Sequence, residues 1–375
     1  MENLLSIVHL KKYFPLPKKS IFQKQRHYLR ANEDISLDIQ RGETFGLVGE
    51  SGCGKSTFGR TLLHLYRPTA GKVIYYGKTE REFVPKYQQK MEKEKGVNER
   101  GKEGMRGVGI DLTRLTGKEM RLLRRDLQII FQDPYSALNP RMTLGQIIEE
   151  GVATHQFFRR GSKEMRDYVV EVMKKCGLQE YMLHRYPHQF SGGQRQRICI
   201  ARALAVKPKF IVCDECVSAL DVSIQSQILN LLTELKEKEG LTYLFISHDL
   251  SVVRHVSDRI GVMYLGRIVE MGRASDVFER PRHPYTLALI SAIPSMDGET
   301  REKILLKENL PSAVSPPSGC PFHTRCFMAQ ECCKRIPAPY VEVGEGHFVA
   351  CHFADMPTKK KKELAKKNAY VYPVL

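Results

Sequence analysis

Gly49-Glu50-Ser51-Gly52-Cys53-Gly54-Lys55-Ser56-Thr57 is the stretch that decides the fold of this chain. It fits the pattern G-x-x-x-x-G-K-[ST] of a phosphate-binding loop. The apolar run Thr44–Val48 before it predicts a strand, and Phe58–Leu65 after it predicts a helix. Glycines let backbone N–H groups approach phosphate oxygens, and the helix N-terminus adds positive potential. We therefore expect these nine residues to bind a nucleotide, with Lys55 reaching the β- and γ-phosphates and Ser56 binding Mg²⁺.

The composition limits the classes of protein that remain. With 375 residues, of which 42% are hydrophobic, the chain has room for one large domain plus a smaller one, or two modest domains. It has no apolar run of about 18 residues and no signal-peptide pattern at Met1–Phe14, so we expect a cytoplasmic protein. The net charge of +17 indicates a polyanionic partner, which could be nucleic acid, a nucleotide or an anionic membrane.

Two strands are predicted ahead of the loop, at Leu4–Leu10 and Ile35–Ile39, with a basic loop from Pro15 to Arg30 between them. An aromatic residue near the end of the first strand could stack on an adenine ring, and Phe14 is the candidate. Packing at the core or the sheet edge is the alternative for this side chain.

A charged segment from Gly77 to Gly109 is poor in apolar residues and predicts a solvated insertion. Within it, Lys86–Lys95 could form an exposed helix. A nucleic-acid arm is the sharper alternative, but the mixed signs of the charges argue against it.

Acidic and basic side chains follow two buried strands further along the chain. Phe210–Cys213 stops at Asp214 and Glu215, whose side chains point opposite ways, so one can face Mg²⁺ and the other a water. Leu241–Ile246 ends just before His248. This histidine follows a phosphate loop and a carboxylate pair, which favours a functional role over a structural one.

Two further features lie between the loop and the carboxylates. The strand Leu127–Phe131 ends at Gln132, and helical stretches such as Arg166–Cys176 follow it. Ser191-Gly192-Gly193-Gln194 then begins a strong helix that runs to Val206. Taken alone, Ser191 would be read as an ordinary N-cap.

Taken in order, these features resemble the ATP-binding subunit of an ABC transporter over residues 1–265. The matching motifs are the phosphate loop, the Q-loop Gln132, the signature Ser191-Gly192-Gly193-Gln194, the Walker B pair Asp214-Glu215, the D-loop Ser218-Ala219-Leu220-Asp221 and the switch His248. The resemblance implies an α/β fold: a RecA-like P-loop NTPase core with an antiparallel β subdomain and a helical subdomain at about 133–190. The charged insertion, at about 78–109 in this comparison, is absent from the usual pattern.

Within that superfamily the chain resembles the oligopeptide/dipeptide importers. The resemblance is carried by four stretches, namely Val48–Lys55, Phe131–Pro140, Asp221–Gln225 and His283–Thr286. A signature that ends in Gln194 is closer to the F-type than to the D-type ATPase subunit. Cys216 departs from the family because proline is usual there, and Phe190 replaces the commoner leucine.

The resemblance implies that two ATPase subunits close face to face, with each ATP between one phosphate loop and the partner's signature. Glu215 would polarise the attacking water, and His248 would hold the γ-phosphate. Lys55 would neutralise charge on the departing phosphoryl group, and Gln132 would couple the site to the membrane subunits. The nucleotide and Mg²⁺ ligands implied in addition are Phe14, Ser191, Gly192, Gly193, Gln194 and Asp221 for ATP, and Ser56, Gln132 and Asp214 for Mg²⁺.

The implied partners are a second ABC ATPase subunit, two permease subunits and an extracytoplasmic substrate-binding protein, at the cytoplasmic face of the membrane and without nucleic acid. The implied cargo is oligopeptides or dipeptides, with nickel or another small solute as the alternative. A soluble ABC ATPase acting on nucleic acid is a rival from another class. A P-loop kinase would leave the signature and His248 unexplained.

Five of the ten cysteines are crowded into the last part of the chain. Four thiolates are a soft ligand set that suits zinc or an iron–sulfur cluster, and free or disulfide-bonded thiols are the alternative. A similar Cys-rich tail in some peptide-importer ATPases implies a [4Fe–4S] cluster, whereas nearby His323, His347 and His352 keep zinc open. The candidate ligands are Cys320, Cys326, Cys333 and Cys351, with Cys332 spare.

The remaining predictions concern the C-terminal third. We expect a small Cys-rich C-terminal domain within an extension at 266–355 of the oligopeptide-transporter type. The extension is expected to begin with a final strand at Gly266–Glu270, and a basic tail to follow at 356–375. The tail holds Lys359–Lys362, Lys366 and Lys367, and it is predicted to be either a solvated end or a segment that binds anionic lipid.

Overall fold

The chain begins with three strands, and strands and helices are interspersed after them. The computed structural model describes residues 2–18, 26–78, 83–86, 88, 109–293, 302–306, 309–368 and 370–373. Its strands are β1 (Asn3–Pro15), β2 (Tyr28–Gln40), β3 (Thr44–Val48), β4 (Ala70–Tyr75), β5 (Ile110–Asp111), β6 (Leu127–Ile130), β7 (Phe210–Asp214), β8 (Thr242–Ile246), β9 (Arg259–Tyr264), β10 (Arg267–Arg273), β11 (Glu302–Leu305), β12 (Tyr340–Gly344), β13 (His347–Ala350) and β14 (Tyr370–Pro373). Its helices are α1 (Lys55–Leu62), α2 (Gly117–Leu123), α3 (Pro134–Ala137), α4 (Leu144–Thr154), α5 (Lys163–Lys175), α6 (Gly192–Leu204), α7 (Val222–Glu239), α8 (Leu250–Val256), α9 (Ala274–Glu279), α10 (Pro284–Ser291), α11 (Glu331–Arg335) and α12 (Thr358–Asn368).

An eight-stranded mixed sheet carries the phosphate loop near its middle. Its strand order is β12-β13-β10-β9-β3-β8-β7-β6. The run from β9 to β6 is parallel, and the three strands beyond β9 are antiparallel. β3, β7 and β8 are buried along their whole length, which explains why their sequences are continuous apolar runs. The predicted α/β core is confirmed.

A second sheet, of strand order β2-β1-β4-β5, is antiparallel. β1 and β2 are each 13 residues long, so the predicted strands were too short, and the predicted loop up to Arg30 overlaps β2. The alternation of apolar residues is interrupted in β1 because the strand is irregular between Ile7 and Leu10, where His9 has φ 49°. A pattern of strict alternation therefore misses the second half of the strand.

The region from 133 to 190 is helical in the structure. It contains α3, α4 and α5, followed by 3₁₀ turns at Glu180–Met182 and Pro187–Gln189. α4 and α5 begin with N-caps whose side-chain oxygens accept backbone N–H bonds, and their apolar faces join the core that also covers α6. None of the described helices is long and apolar enough to cross a membrane.

The C-terminal extension continues the large sheet. β10 is not the final strand that the sequence predicted, because β13 pairs with it and β12 pairs with β13. β12 was missed although Tyr340, Val341 and Val343 are apolar, because the strand has only five residues and none of them is buried. β11 and β14 form a separate antiparallel pair.

The lysine-rich segment is ordered over Thr358–Asn368, where it forms α12. Lys361 and Ala365 are buried, whereas the lysines at 359, 360, 362, 366 and 367 are exposed. A wholly solvated end is therefore wrong for this part of the tail, and lipid binding stays a prediction. Most of the charged insertion, with nearly all of the predicted helix Lys86–Lys95, lies outside the described residues.

Candidate functional site

The phosphate loop leaves β3 at the edge where the parallel strands end. Gly49 has φ 152° and Gly54 has φ 107°, a backbone region that favours glycine. A Cβ atom at either position would collide with main-chain oxygen, that of Met263 at Gly49 and that of Ala31 at Gly54. The chain thus keeps both positions free of side chains, as close backbone approach to a phosphate requires.

Lys55 begins α1 and is only 4% exposed. Its ammonium donates to the carbonyl oxygens of Gly49, at 2.7 Å, and Glu50, at 3.1 Å. It also lies 4.0 Å from a carboxylate oxygen of Glu215. The lysine is therefore held inside the turn of the loop and next to the carboxylate that was predicted to act on water.

Glu215 is the point at which the predicted catalytic residues meet. Gln132, which follows β6, donates from Nε2 to Oε2 of Glu215 at 2.9 Å. His248, which follows β8, has its Nδ1 3.4 Å from the same oxygen. Glu215 itself has φ 49°, an uncommon left-handed conformation that often marks functional positions. Gln132, Glu215 and His248 come together with Lys55 because each stands at or just beyond the end of a parallel strand, or at the start of the helix after it.

Asp214 is 1% exposed at the end of β7. Its Oδ2 accepts from Arg60 at 3.2 Å, whereas its Oδ1 is buried and has no hydrogen-bond partner among the described residues. A buried carboxylate oxygen in need of a partner fits a divalent cation, so the residues present suit Mg²⁺. Ser56, the other oxygen donor predicted for Mg²⁺, is half-buried in the first turn of α1.

The signature residues cap α6. Ser191 Oγ accepts from the N–H of Gln194, and the Gln194 side chain accepts in return from the N–H of Ser191. Ser191 and Gly192 are exposed. In the part of the chain that the structure describes, no hydrogen bond or ion pair joins residues 191–194 to the phosphate loop of the same chain.

The signature lies beside the D-loop. A Cβ atom at Gly193 would lie 2.5 Å from Cγ2 of Ile224, and one at Gly192 would lie 3.6 Å from Cδ2 of Leu220. Asp221 is exposed and precedes α7. Two motifs that are distant in sequence thus share one exposed surface.

Phe14 is half-buried at the end of β1. Its ring packs edge-on against Tyr66, with 5.4 Å between centroids, and the Lys12 ammonium lies 4.6 Å above it. These contacts tie Phe14 to the antiparallel sheet. Adenine stacking by this residue stays a prediction.

Three residues that contact the loop were not singled out from the sequence. The Tyr285 hydroxyl accepts from the N–H of Glu50 at 2.9 Å, and Arg325 donates two hydrogen bonds to the Glu50 carboxylate at 2.7 and 2.9 Å. Asn32 donates from Nδ2 to the carbonyl of Gly54 at 3.1 Å. Tyr285 stood in a stretch noted only for its resemblance to importers. Arg325 stood only beside Cys326 in the cysteine-rich stretch that resembles importer tails, and an asparagine in a strand carries no sequence signal of its own.

The four candidate cysteine ligands are gathered in one corner of the extension. Burial raises the pKa of Cys326 to about 12 and that of Cys320 to about 11, and neighbouring thiols add to both shifts. Among the described residues, however, no three His, Cys, Asp or Glu side chains are arranged to hold a metal ion. The structure brings the thiols together but does not support the predicted iron–sulfur or zinc site.

The three histidines that made zinc an alternative to an iron–sulfur cluster contact other groups. His347 Nε2 lies 2.8 Å from the buried carboxylate of Glu270. His323 Nδ1 lies 2.9 Å from the carbonyl oxygen of Cys320, and His352 Nε2 lies 3.0 Å from that of Ile336. Each ring therefore has a structural role that needs no metal.

Comparisons with known proteins agree with the geometry. The ABC transporter family matches residues 32–218, and the family described as the oligopeptide/dipeptide transporter C-terminal region matches residues 269–333. The dimeric structure of the ATP-binding cassette MJ0796 bound to ADP and Pi aligns with a TM-score of 0.56 and 26% identity, covering 72% of this chain and 98% of that one. CbiO1 from Clostridium perfringens, part of an ABC transporter complex, aligns with a TM-score of 0.56 and 25% identity over 74% of this chain and 92% of that one. The fold and the ordered motifs define an ABC ATPase.

Curated relatives match most of the chain, including the C-terminal extension. The oligopeptide transport ATP-binding protein AppF of Bacillus subtilis (strain 168) is 44% identical over 94% of this chain and 97% of its own length. At this identity and coverage, the chain belongs to the family of oligopeptide transport ATP-binding proteins.

Proposed function

We propose that this ATPase powers the import of oligopeptides or dipeptides. The observation that carries the proposal is that the similarity to oligopeptide transport proteins extends beyond the ATPase core, through a C-terminal region of the peptide-transporter type. The extension is also joined to the phosphate loop through Tyr285 and Arg325.

The chemistry proposed for the site follows from the contacts of Glu215. Its carboxylate accepts a proton from the water that attacks the γ-phosphate, and Lys55 balances the charge that develops on the phosphate oxygens. His248, next to the same carboxylate, orients the γ-phosphate. Gln132 donates from Nε2 to Glu215, which leaves its Oε1 free to bind a cation. A cation bound in this way would link the start of the helical region to the state of the nucleotide.

Mg²⁺ would be held by Ser56, Asp214 and Gln132, and it would neutralise charge on the β- and γ-phosphates. The Oδ1 of Asp214, which is buried and has no hydrogen-bond partner within the described ranges, supports its part in this site.

A second ATPase subunit would complete the site. In support of this, the signature and the D-loop share an exposed surface, and neither is bonded to the phosphate loop of its own chain among the described residues. Val222, directly after the D-loop, is 80% exposed although it is apolar. A partner that covers this surface would present its own signature to the ATP bound here.

The remaining partners are proposed to be two permease subunits and an extracytoplasmic substrate-binding protein, which would hold this chain at the cytoplasmic face of the membrane. The [4Fe–4S] cluster is kept only as a proposal to be tested. It would require the four thiols, which already share one corner of the extension, to move into the geometry of a cluster and to lose their protons. Anaerobically purified protein without iron, sulfide or visible absorption would remove it.

The uptake of labelled substrates tests the transport function. We would compare cells that carry wild-type protein, Lys55→Ala or the exposed-lysine control Lys360→Ala, and measure uptake of a dipeptide, a hexapeptide and nickel. Loss of peptide uptake in Lys55→Ala alone supports the proposal. Loss of nickel uptake alone assigns nickel as cargo, whereas unchanged uptake together with binding of RNA or DNA by the ATPase favours the soluble rival.

A further inference from the structure

We propose that Arg325 is a positioning residue of the ATP site. It joins the Cys-rich segment Gly319–Cys333 to the phosphate loop, so that nucleotide binding and the ordering of this segment stabilise each other. The inference depends on the ATPase site alone and is independent of the cargo and of any metal.

The first observation is the pair between Arg325 and Glu50. The two guanidinium nitrogens donate to the two carboxylate oxygens at 2.7 and 2.9 Å, which is the bidentate geometry that only arginine offers. The Arg325 side chain is 5% exposed and that of Glu50 is 29% exposed, so solvent screens the pair little. Glu50 is the second residue of the phosphate loop.

The second observation concerns Phe322, three residues before Arg325. Its ring packs the Cys-rich segment against two tyrosines that lie next to the phosphate loop or to Arg325. Its ring centroid lies 5.4 Å from that of Tyr285 and 5.2 Å from that of Tyr264. The Tyr285 hydroxyl accepts from the N–H of Glu50, and the guanidinium carbon of Arg325 lies 5.9 Å from the Tyr264 ring centroid. Both the side chain and the backbone of Glu50 are thus restrained from the C-terminal side.

Glu50 passes this restraint on to the rest of the loop. Its carbonyl oxygen accepts from the Lys55 ammonium at 3.1 Å and from the N–H of Cys53 at 3.3 Å. A loop that is already held in one conformation loses less freedom when a phosphate binds. Because coupling free energies are reciprocal, a nucleotide that fixes the loop must also favour the docked position of the Cys-rich segment.

The segment is itself well defined next to Arg325. The N–H of Cys320 donates to the carbonyl of Cys333 at 2.8 Å, and that of Arg325 donates to the carbonyl of Phe322 at 3.0 Å. Gly319 has φ 65°, and a Cβ atom there would collide with the carbonyl oxygen of Cys333. Gly319→Ala is therefore expected to loosen the segment without changing a residue of the phosphate loop.

The affinity of the full-length protein for MgADP, measured by titration calorimetry, tests the coupling. Arg325→Met and Glu50→Gln are each expected to raise Kd at least about 5-fold, the lower end of typical coupling between sites. The double variant should bind no more weakly than the weaker single variant, because both changes remove one contact. Arg325→Lys, which keeps the charge but not the fork, should fall between wild type and Arg325→Met. The control is Arg335→Met, since Arg335 is 77% exposed and pairs only with Glu331 among the described residues.

Hydrogen exchange of residues 319–335 provides the reciprocal readout. MgADP is expected to slow exchange there in wild type and to have no effect in Arg325→Met or Gly319→Ala. If Arg325→Met does not fold, Arg325→Lys and Glu50→Gln carry the test. A Kd within 2-fold of wild type in these two variants overturns the proposal, even if their melting temperatures fall, since Arg325 would then only stabilise the fold. Additive losses in the double variant overturn it as well.

Discussion

The side-chain amide of Gln132 donates a 2.9 Å hydrogen bond to the carboxylate of Glu215. These residues stand 83 positions apart, at the ends of the adjacent parallel strands β6 and β7. The same carboxylate oxygen also faces His248. The carboxylate of Glu215 thus contacts both the segment that leads into the helical region and the loop that follows β8.

Glu215→Gln is expected to retain ATP binding and to hydrolyse ATP about 10²–10⁴-fold more slowly, because an amide cannot accept the proton of the attacking water. ATP binding and single-turnover hydrolysis, measured in the assembled transporter, would separate the two effects. The exposed Glu237→Gln is the matched control. Near-normal turnover in Glu215→Gln would remove this residue from the role of base.

Gly54→Ala should destabilise the protein far more than Gly42→Ala. Both glycines have positive φ, but only at Gly54 would the new methyl group meet backbone atoms, whereas Gly42 has no heavy atom within 4 Å of that point. We expect the free energy of unfolding to fall by about 1 kcal/mol for Gly42→Ala, and by about 3 kcal/mol or more for Gly54→Ala. Urea unfolding of both variants measures the difference. Equal losses would mean that the loop moves freely away from Ala31.

The buried His283 is expected to lower the free energy of unfolding at acidic pH. Burial, together with the nearby Lys361 charge, lowers the pKa of His283 to about 3 from its ordinary 6.5. Below pH 6.5 His283 therefore binds a proton in the unfolded chain but stays neutral in the folded protein. The free energy of unfolding consequently falls as the pH drops from 6.5 toward 3. The contribution is about 2 kcal/mol between pH 7 and pH 5.

The variant His283→Asn isolates this contribution. Asparagine can still accept the N–H of Tyr285, as His283 Nδ1 does at 3.1 Å, but it does not titrate. Unfolding free energies at pH 7 and pH 5 should therefore differ less in the variant than in wild type. The same pH dependence in both proteins would show that His283 is not the group responsible.

Lys361 and Lys360 are adjacent in α12 but face different surroundings. The buried Lys361 ammonium donates to the carbonyl oxygens of Arg282 and Ala354, and burial lowers its pKa. Lys361→Met leaves both acceptors without this donor, so the free energy of unfolding should fall by about 1–3 kcal/mol. Lys360→Met should change it by less than about 0.5 kcal/mol. Thermal unfolding that is equal in the two variants would contradict the docked position of α12.

The convergence of the site candidates at one edge of the sheet could be predicted from the sequence, whereas their catalytic roles stay predictions. Gln132, Asp214, Glu215 and His248 each follow an apolar run, and parallel strands bring their ends to one edge. Their convergence follows from local patterns plus one topological rule.

What the sequence did not predict depends on tertiary contacts. The interruption of β1 at His9 hides its full length, and β12 is so short and exposed that its place in the sheet depends on its pairing with β13. Lys361 was predicted, like the other lysines of the basic run, to be either solvated or bound to anionic lipid. Nothing in the local sequence distinguishes it, although its ammonium donates to two carbonyl oxygens inside the fold. The Arg325–Glu50 pair joins positions 275 residues apart, which no periodicity reveals.

The pairing of β13 with β10 also affects how the molecule behaves in a crowded solution. A sheet that ended at β10 would present a row of open backbone donors and acceptors, and such an edge recruits strands from other chains into aggregates. Here the edge is moved outward to β12, where Glu342 and short length discourage further addition. A protein cut before residue 340 would therefore be expected to lose colloidal stability even if its nucleotide site remained intact.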